Sequence, residues 1–178
     1  MLSDSEARAI VGGVMKPVAR IGCLLMYGCG LRISEAVAVE VTAIDGKSGV
    51  LRVIGKGNKE RCVPLPAPVL AELRQLWTTH RSPRWLCPNQ KGDGPISPQT
   101  LWVAFKTVVD ELEFKARVTP HTMRHSYATR LLEAGVELRI VQILLGHASI
   151  GTTAQYTHLT EPTRAGLKSI LDKLMAGL

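Results

Sequence analysis

Only one substantial stretch of this chain reads as β-structure, and that limits the possible folds more than any other feature. In SGVLRVIGKGNKERCVPLP, the runs Val50 to Ile54 and Arg61 to Leu65 flank a Gly-Lys-Gly-Asn-Lys turn, which predicts a hairpin. Most of the remainder shows helical spacing. Ser3 or Asp4 caps a short first helix, and Pro17 opens a second that runs to the glycines at 28 and 30. A third covers Ile33 to Val39, and a fourth starts at Pro66 or Pro68 and reaches about Trp77. His80 to Pro98 is a Pro- and Gly-rich loop with one short strand near Ile96. Helices follow over Pro98–Leu112, Pro120–Glu133 and Glu137–Leu145. Ser149 is expected to cap the next, which carries Tyr156. A last helix from about Glu161 puts Leu167, Ile170, Leu171, Leu174, Met175 and Leu178 on one face. Nothing alternates β-α-β, which argues against a doubly wound nucleotide fold. The expected class is α+β, mainly helical, with a small antiparallel β-sheet.

Composition narrows the function. With 46% hydrophobic residues in 178, the chain can bury a core. Its net charge of +7 suggests an anionic partner. The excess is unevenly spread: none over residues 1–48, +3 over 49–114 and +4 over 115–178. Arg52 to Arg61 alone nets +3. Aromatic residues are 4% of the chain, which argues against a surface that stacks bases on aromatic rings. The 4 cysteines, at 23, 29, 62 and 87, show no CxxC spacing. They read as reduced thiols of a cytoplasmic protein rather than a zinc site or a disulfide framework. The longest uncharged apolar stretch, Ile21 to Leu31, is too short to span a bilayer, and the opening MLSDSEARA does not read as a signal peptide.

Six residues with chemical potential fall where chains turn or helices begin. Arg32 follows Gly28, Gly30 and Leu31, and Lys56 lies in the hairpin turn. His121 and Arg124 share the face of a helical first turn. His147 lies between two helices, and Tyr156 follows on a short one. Alone, each has an ordinary explanation: a solvated cation, a packed tyrosine. His121 and His125 could suggest a metal pair, but Thr122-Met123-Arg124 lacks the Glu of HExxH chemistry and puts a cation beside the proposed ligands. No metal is expected. Together the six make a cationic, donor-rich pocket with an oxygen nucleophile. Metal-free phosphoryl chemistry needs such a pocket: guanidinium forks neutralise non-bridging oxygens and a positioned acid protonates the leaving oxygen.

The segments GCGLRISEA, VIGKGNKERCVPL, TPHTMRHSYATRLLEAG and LLGHASIGTTAQYTH, in this order, closely resemble the catalytic domain of tyrosine recombinases, the phage-integrase family. Xer-type and integron-type integrases look nearest, and the resemblance covers roughly residues 3–165. It implies Arg32, Lys56, His121, Arg124, His147 and Tyr156 as catalytic residues, with Glu35 as an acidic support. Arg52, Lys59 and Arg61 are expected to contact DNA. The implied activity is site-specific DNA breakage and rejoining through a 3′-phosphotyrosyl enzyme, with neither ATP, metal nor small-molecule cofactor. Double-stranded DNA is the implied partner, with self-association into a tetramer on it and no membrane. A type IB topoisomerase-like activity or a non-catalytic DNA-binding accessory factor are the alternatives. Residues 1–178 are expected to form the catalytic domain, including the last helix at about 161–178, without the helical core-binding domain that usually precedes it. The apolar stripe of the last helix either packs on its own core or, as the C-terminal segment of this family often does, docks on a neighbouring protomer, in which case removing it is expected to harm assembly more than stability.

Overall fold

The computed structural model describes residues 1–114, 116–146 and 156–177. Its organising element is the second helix, α2 (Pro17–Gly28), which follows α1 (Asp4–Gly13). The sequence of α2, PVARIGCLLMYG, has Arg20 as its one charged residue, and a helix apolar nearly all round must be buried. Every residue from Ile21 to Gly28 is buried. Around α2 pack α1, α3 (Ile33–Val37), α4 (Ala67–His80), α5 (Pro98–Glu111) and α6 (Pro120–Glu133). The last two helices are α7 (Leu138–Leu145) and α8 (Glu161–Met175).

Local chemistry sets the helix starts. Ser3 forms a capping box with Glu6 at α1, and the side chains of Ser97 and Thr119 cap α5 and α6 ahead of Pro98 and Pro120. The first helix is therefore capped by Ser3, not Asp4.

The sheet has strand order β1-β2-β3, all antiparallel: β1 (Ile44–Asp45), β2 (Val50–Ile54) and β3 (Glu60–Pro64). Strand β3 begins one residue earlier than the expected Arg61, because Glu60 pairs with Ile54. The short β1 was not anticipated. It is a two-residue strand fixed by its pairing with Leu51 and Val50, which no local periodicity reveals. Along β2, Leu51 and Val53 point into the core while Arg52 and Ile54 face solvent, the period-two alternation of a half-buried strand. The strand expected near Ile96 is reduced to an isolated bridge between Pro88 and Pro95.

The last helix has cover within its own chain. Leu167, Leu171 and Met175 are buried within the same chain, against α4 among other elements. Asp172 Oδ1 accepts a hydrogen bond from the Ala67 backbone at 2.8 Å, and Arg8 donates to the Ala176 carbonyl at 2.8 Å. Arg130, with a side chain only 7% exposed, ties three further segments together. It pairs with Asp4 at 2.8 Å, donates to the Tyr27 hydroxyl, and donates to the Leu174 carbonyl at 3.2 Å. Leu178 lies outside the described residues. Because α8 completes its own core, Leu171→Ala is expected to lower the stability of the isolated chain by about 2–5 kcal/mol. Denaturant unfolding at a concentration where no assembly forms is the test, and an unchanged midpoint would mean that the helix does not contribute in cis.

Candidate active site

The first arginine is presented by a backbone device. At the end of α2 the chain turns through Gly30, whose φ of +66° favours glycine and whose Cβ would lie 2.5 Å from the Tyr127 ring. Arg32 then stands at the N-cap of α3, and Glu35 in the first helical turn accepts a hydrogen bond from the Arg32 backbone at 2.8 Å. An acidic side chain in a helix's first turn is favoured by the exposed N–H groups there.

Glu35 does much more than cap. Its side chain is 3% exposed and collects guanidinium groups from three separate elements. Arg32 Nη1 donates to Oε1 at 3.0 Å. Arg61, from β3, forms a two-pronged contact, Nη1 to Oε1 at 2.8 Å and Nη2 to Oε2 at 2.9 Å. Arg124, from α6, places Nη1 3.8 Å from Oε2. Burial by itself pushes the Glu35 carboxyl up. Hydrogen bonds from the Arg61 side chain and the Arg32 backbone, with the charge of Arg61, outweigh burial and hold it below its ordinary value.

Two of these arginines are also anchored on the end of α7. The last carbonyls of a helix lack intrahelical partners and carry partial negative charge. Arg61 Nε donates to the Leu144 carbonyl at 2.9 Å, and Arg124 Nη2 donates to the Leu145 carbonyl at 2.5 Å. Arg124 Nη1 also donates to the Gly30 carbonyl. Gly146 ends α7 with φ +66°, and a Cβ there would press to 2.9 Å of Arg61 Cδ. Three guanidiniums thus face one carboxylate among the described residues. Burial, and then repulsion from Arg32 and Arg61, pushes the Arg124 guanidinium down to about 10, with Glu35 acting in the opposite direction. An excess of positive charge at such low exposure favours a bound anion.

The cluster opens to solvent through Arg32, whose side chain is 38% exposed. Arg32, Ser34, Glu35, Ile54, Gly55 and Lys56 line an open cleft of ≈ 500 Å³. Lys56 is exposed on the Lys56–Asn58 turn, which requires left-handed backbone at Gly57 (φ 74°) and Asn58 (φ 56°). A second open cleft of ≈ 510 Å³ brings exposed His121 and His125 together with Arg117 and the edge of Arg124. Arg124 therefore lies between the two clefts, joined to one through Glu35 and to the other through α6.

Not every expected residue joins this arrangement. Arg52 and Lys59 are exposed on the hairpin, with Arg52 3.3 Å from Glu60. Arg61 was expected to face DNA with them. Instead it points inward, 11% exposed, and is occupied by Glu35 and Leu144. The alternation of β3 carried the signal, since Arg61 pairs with the inward-facing Val53 while Cys62 pairs with Arg52. Tyr156 was expected on a helix capped by Ser149, but it stands on a 3-10 turn, Tyr156–His158. Ser149 and His147 lie outside the described residues. Tyr156 is only 4% exposed, and its turn adjoins β3 and α7. Burial raises its hydroxyl above the ordinary tyrosine value, while Arg164 lowers it and Glu161 raises it. Among the described residues there is no cluster of three or more metal-ligating side chains, and no helix is long and apolar enough to cross a membrane.

Residues 8–162 match the sequence pattern of the phage integrase family. The chain belongs to that family. Similar curated relatives include the tyrosine recombinase XerD of Corynebacterium glutamicum, 42% identical over 142 residues, 76% of this chain and 46% of the relative. The tyrosine recombinase XerA of Pyrococcus furiosus is 38% identical over 165 residues, 89% of this chain and 57% of the relative. Among solved structures, an integrase from mycobacterium phage Brujita superposes with a TM-score of 0.78 at 26% identity, covering 98% of this chain and 61% of that one. The chain spans about half the length of the curated relatives it matches. The mainly helical fold with its small sheet is thus that of a phage-integrase-family catalytic domain.

The depressed Glu35 carboxyl generates a pH-dependent prediction. A carboxyl held below its unfolded value of 4.5 contributes stability that is complete above that value and lost as pH falls through the folded value. Glu35→Gln is expected to cost about 3–5 kcal/mol at neutral pH, because it leaves buried guanidiniums uncompensated. The deficit should shrink as the pH drops below the carboxyl's range. Thermal melts of both proteins across this acidic range are the measurement, and a deficit independent of pH would remove Glu35 as the titrating group.

Proposed function

We propose that this chain cleaves and rejoins DNA strands as a site-specific tyrosine recombinase. The observation that carries this reading is the Glu35 cluster. One buried carboxylate holds Arg32 and Arg124 together, and Arg32 opens to the cleft that Lys56 also lines. The names of the relatives, recombinases and integrases, support it.

In this mechanism Arg32 and Arg124 take the non-bridging oxygens of a backbone phosphate in double-stranded DNA, supplying the negative charge that the cluster lacks. Tyr156 Oη attacks phosphorus, its proton passing to His121. The bond to the 5′-oxygen breaks, and Lys56 gives that oxygen a proton. A 3′-phosphotyrosyl enzyme and a free 5′-hydroxyl result. The same hydroxyl, or one from a partner strand, later attacks the linkage and releases Tyr156. His147 hydrogen-bonds the phosphate. Arg52 and Lys59, exposed on the hairpin, contact neighbouring phosphates. Strand exchange between two sites takes place in a tetramer assembled on DNA. Neither metal nor nucleotide enters, because the covalent linkage conserves the energy of the broken bond.

Tyr156 is only 4% exposed. In this reading the Tyr156–His158 turn shifts to bring the hydroxyl to the arginines before cleavage.

Two experiments test the assignments. On a nicked suicide duplex the chain is expected to form a covalent adduct that Tyr156→Phe cannot form. Adduct from the Phe variant at the wild-type level would end the assignment, and its absence from both proteins would favour a DNA-binding accessory factor. Strand exchange between two sites separates a recombinase from a topoisomerase-like enzyme. Lys56→Ala is expected to slow cleavage by about 10²–10⁴-fold. A substrate with sulfur at the 5′-bridging position should restore the rate, since thiolate leaves without an acid. Rescue of Lys59→Ala instead would reassign the acid.

A further inference from the structure

Arg61 joins two parts of the site that are distant in sequence. Its Nε binds the Leu144 carbonyl at the end of α7, and its two terminal nitrogens bind the two oxygens of Glu35. It sits on β3, a short distance along the chain from the turn that carries Lys56. The next carbonyl of α7, at Leu145, holds Arg124. Resting on the reading of this centre as DNA-cleaving, we propose that Arg61 is a positioning residue. It holds Glu35 so that Arg32 and Arg124 are presented to a phosphate, and it locks the Lys56 hairpin to the end of α7.

The geometry is specific to arginine. Three N–H groups in a planar fork reach three acceptors at once, which the single ammonium of lysine cannot do. The surroundings are fitted to this arrangement. Gly146 leaves room beside Arg61 Cδ, and a Cβ on Gly55 would lie 3.3 Å from Glu35 Oε1. Among the described residues, the charged groups that face Glu35 are Arg32 at the start of α3, Arg61 from β3 and Arg124 from α6, with Lys56 on the wall of the same cleft. Without Arg61, Glu35 loses two of its hydrogen bonds and stays buried. Burial then favours the neutral acid, which no longer binds Arg32 and Arg124 as an anion. A role confined to fold stability would not produce this coupling of protonation to cleavage.

The experiment is single-turnover adduct formation on a nicked suicide duplex, with the wild type, Arg61→Gln, Arg61→Lys and Arg61→Gln/Glu35→Gln. Arg61→Gln is expected to cleave about 100-fold more slowly, the loss typical of a displaced catalytic group. Its deficit should deepen as pH falls from about 8 to about 6, the range into which a buried carboxyl can rise. DNA affinity should stay within about threefold, since Arg61 faces inward; each tenfold is about 1.4 kcal/mol. Arg61→Lys should recover little of the rate, and the double variant should be slow without the acidic limb. A wild-type rate and pH profile in either single variant would overturn the proposal. So would an acidic limb that survives in the double variant. The second measurement is a carbon-13 NMR titration of the Glu35 carboxyl in the wild type and Arg61→Lys, which needs no activity. Movement of that titration to higher pH supports the clamp, and an unchanged titration overturns it. Should the wild type form no adduct, the DNA-cleaving reading fails while the NMR arm still decides what Arg61 does.

Discussion

The side chain of Glu35 is almost wholly removed from water, and its negative charge persists there because arginines from three different elements surround it. Taking a carboxylate out of water costs several kcal/mol, recovered only with good geometry and satisfied hydrogen bonds. Here those bonds come from α3, β3 and, at longer range, α6. The carboxylate therefore constrains the relative placement of a helix start, a hairpin strand and a central helix. It also allows like charges to lie side by side. Arg61 and Arg124 occupy adjacent carbonyls at the end of α7, and without the shared anion they would repel each other across a poorly screened gap.

The same economy of charge explains why the centre suits an anionic ligand. One carboxylate does not neutralise three guanidiniums, and the lowered Arg124 reflects that imbalance. A second buried arginine, Arg130, behaves differently. It binds Asp4, the Tyr27 hydroxyl and the Leu174 carbonyl, and it serves to hold α1, α2, α6 and α8 together. The contrast separates a structural cation from one available to a ligand. Arg130 binds a carboxylate, a hydroxyl and a carbonyl and is 7% exposed, whereas among the described residues Arg32 has one carboxylate partner and is 38% exposed.

Much of the architecture was legible in local chemistry. The capping residues Ser3, Ser97 and Thr119, and the prolines at helix starts, mark α1, α5 and α6 because N-cap hydrogen bonds depend on neighbours in sequence. The uncharged run beginning at Ile21 marks the buried central helix for a similar reason. Arg61 was misjudged because a cluster of basic residues around a turn reads as one solvated patch. Strand alternation, not charge, decides which member turns inward. The sequence left the cover of the last helix open, because an amphipathic face says that something covers it, and not whether the cover lies in the same chain. Leu167, Leu171 and Met175 find it within this fold.

The sequence by itself determined the order of the main helices and the hairpin, the family, and the basic and hydroxyl-bearing residue types from which the candidate site is built. These properties depend on spacing and on ordered motifs that stay visible in one dimension. The tertiary structure decided which charges meet. It turned Arg61 onto Glu35, set Arg124 against the end of α7, and buried Tyr156 beside β3 and α7. Those outcomes rest on contacts between residues far apart in the chain, formed when burial strips water from charged groups and leaves each to find its partner inside the protein.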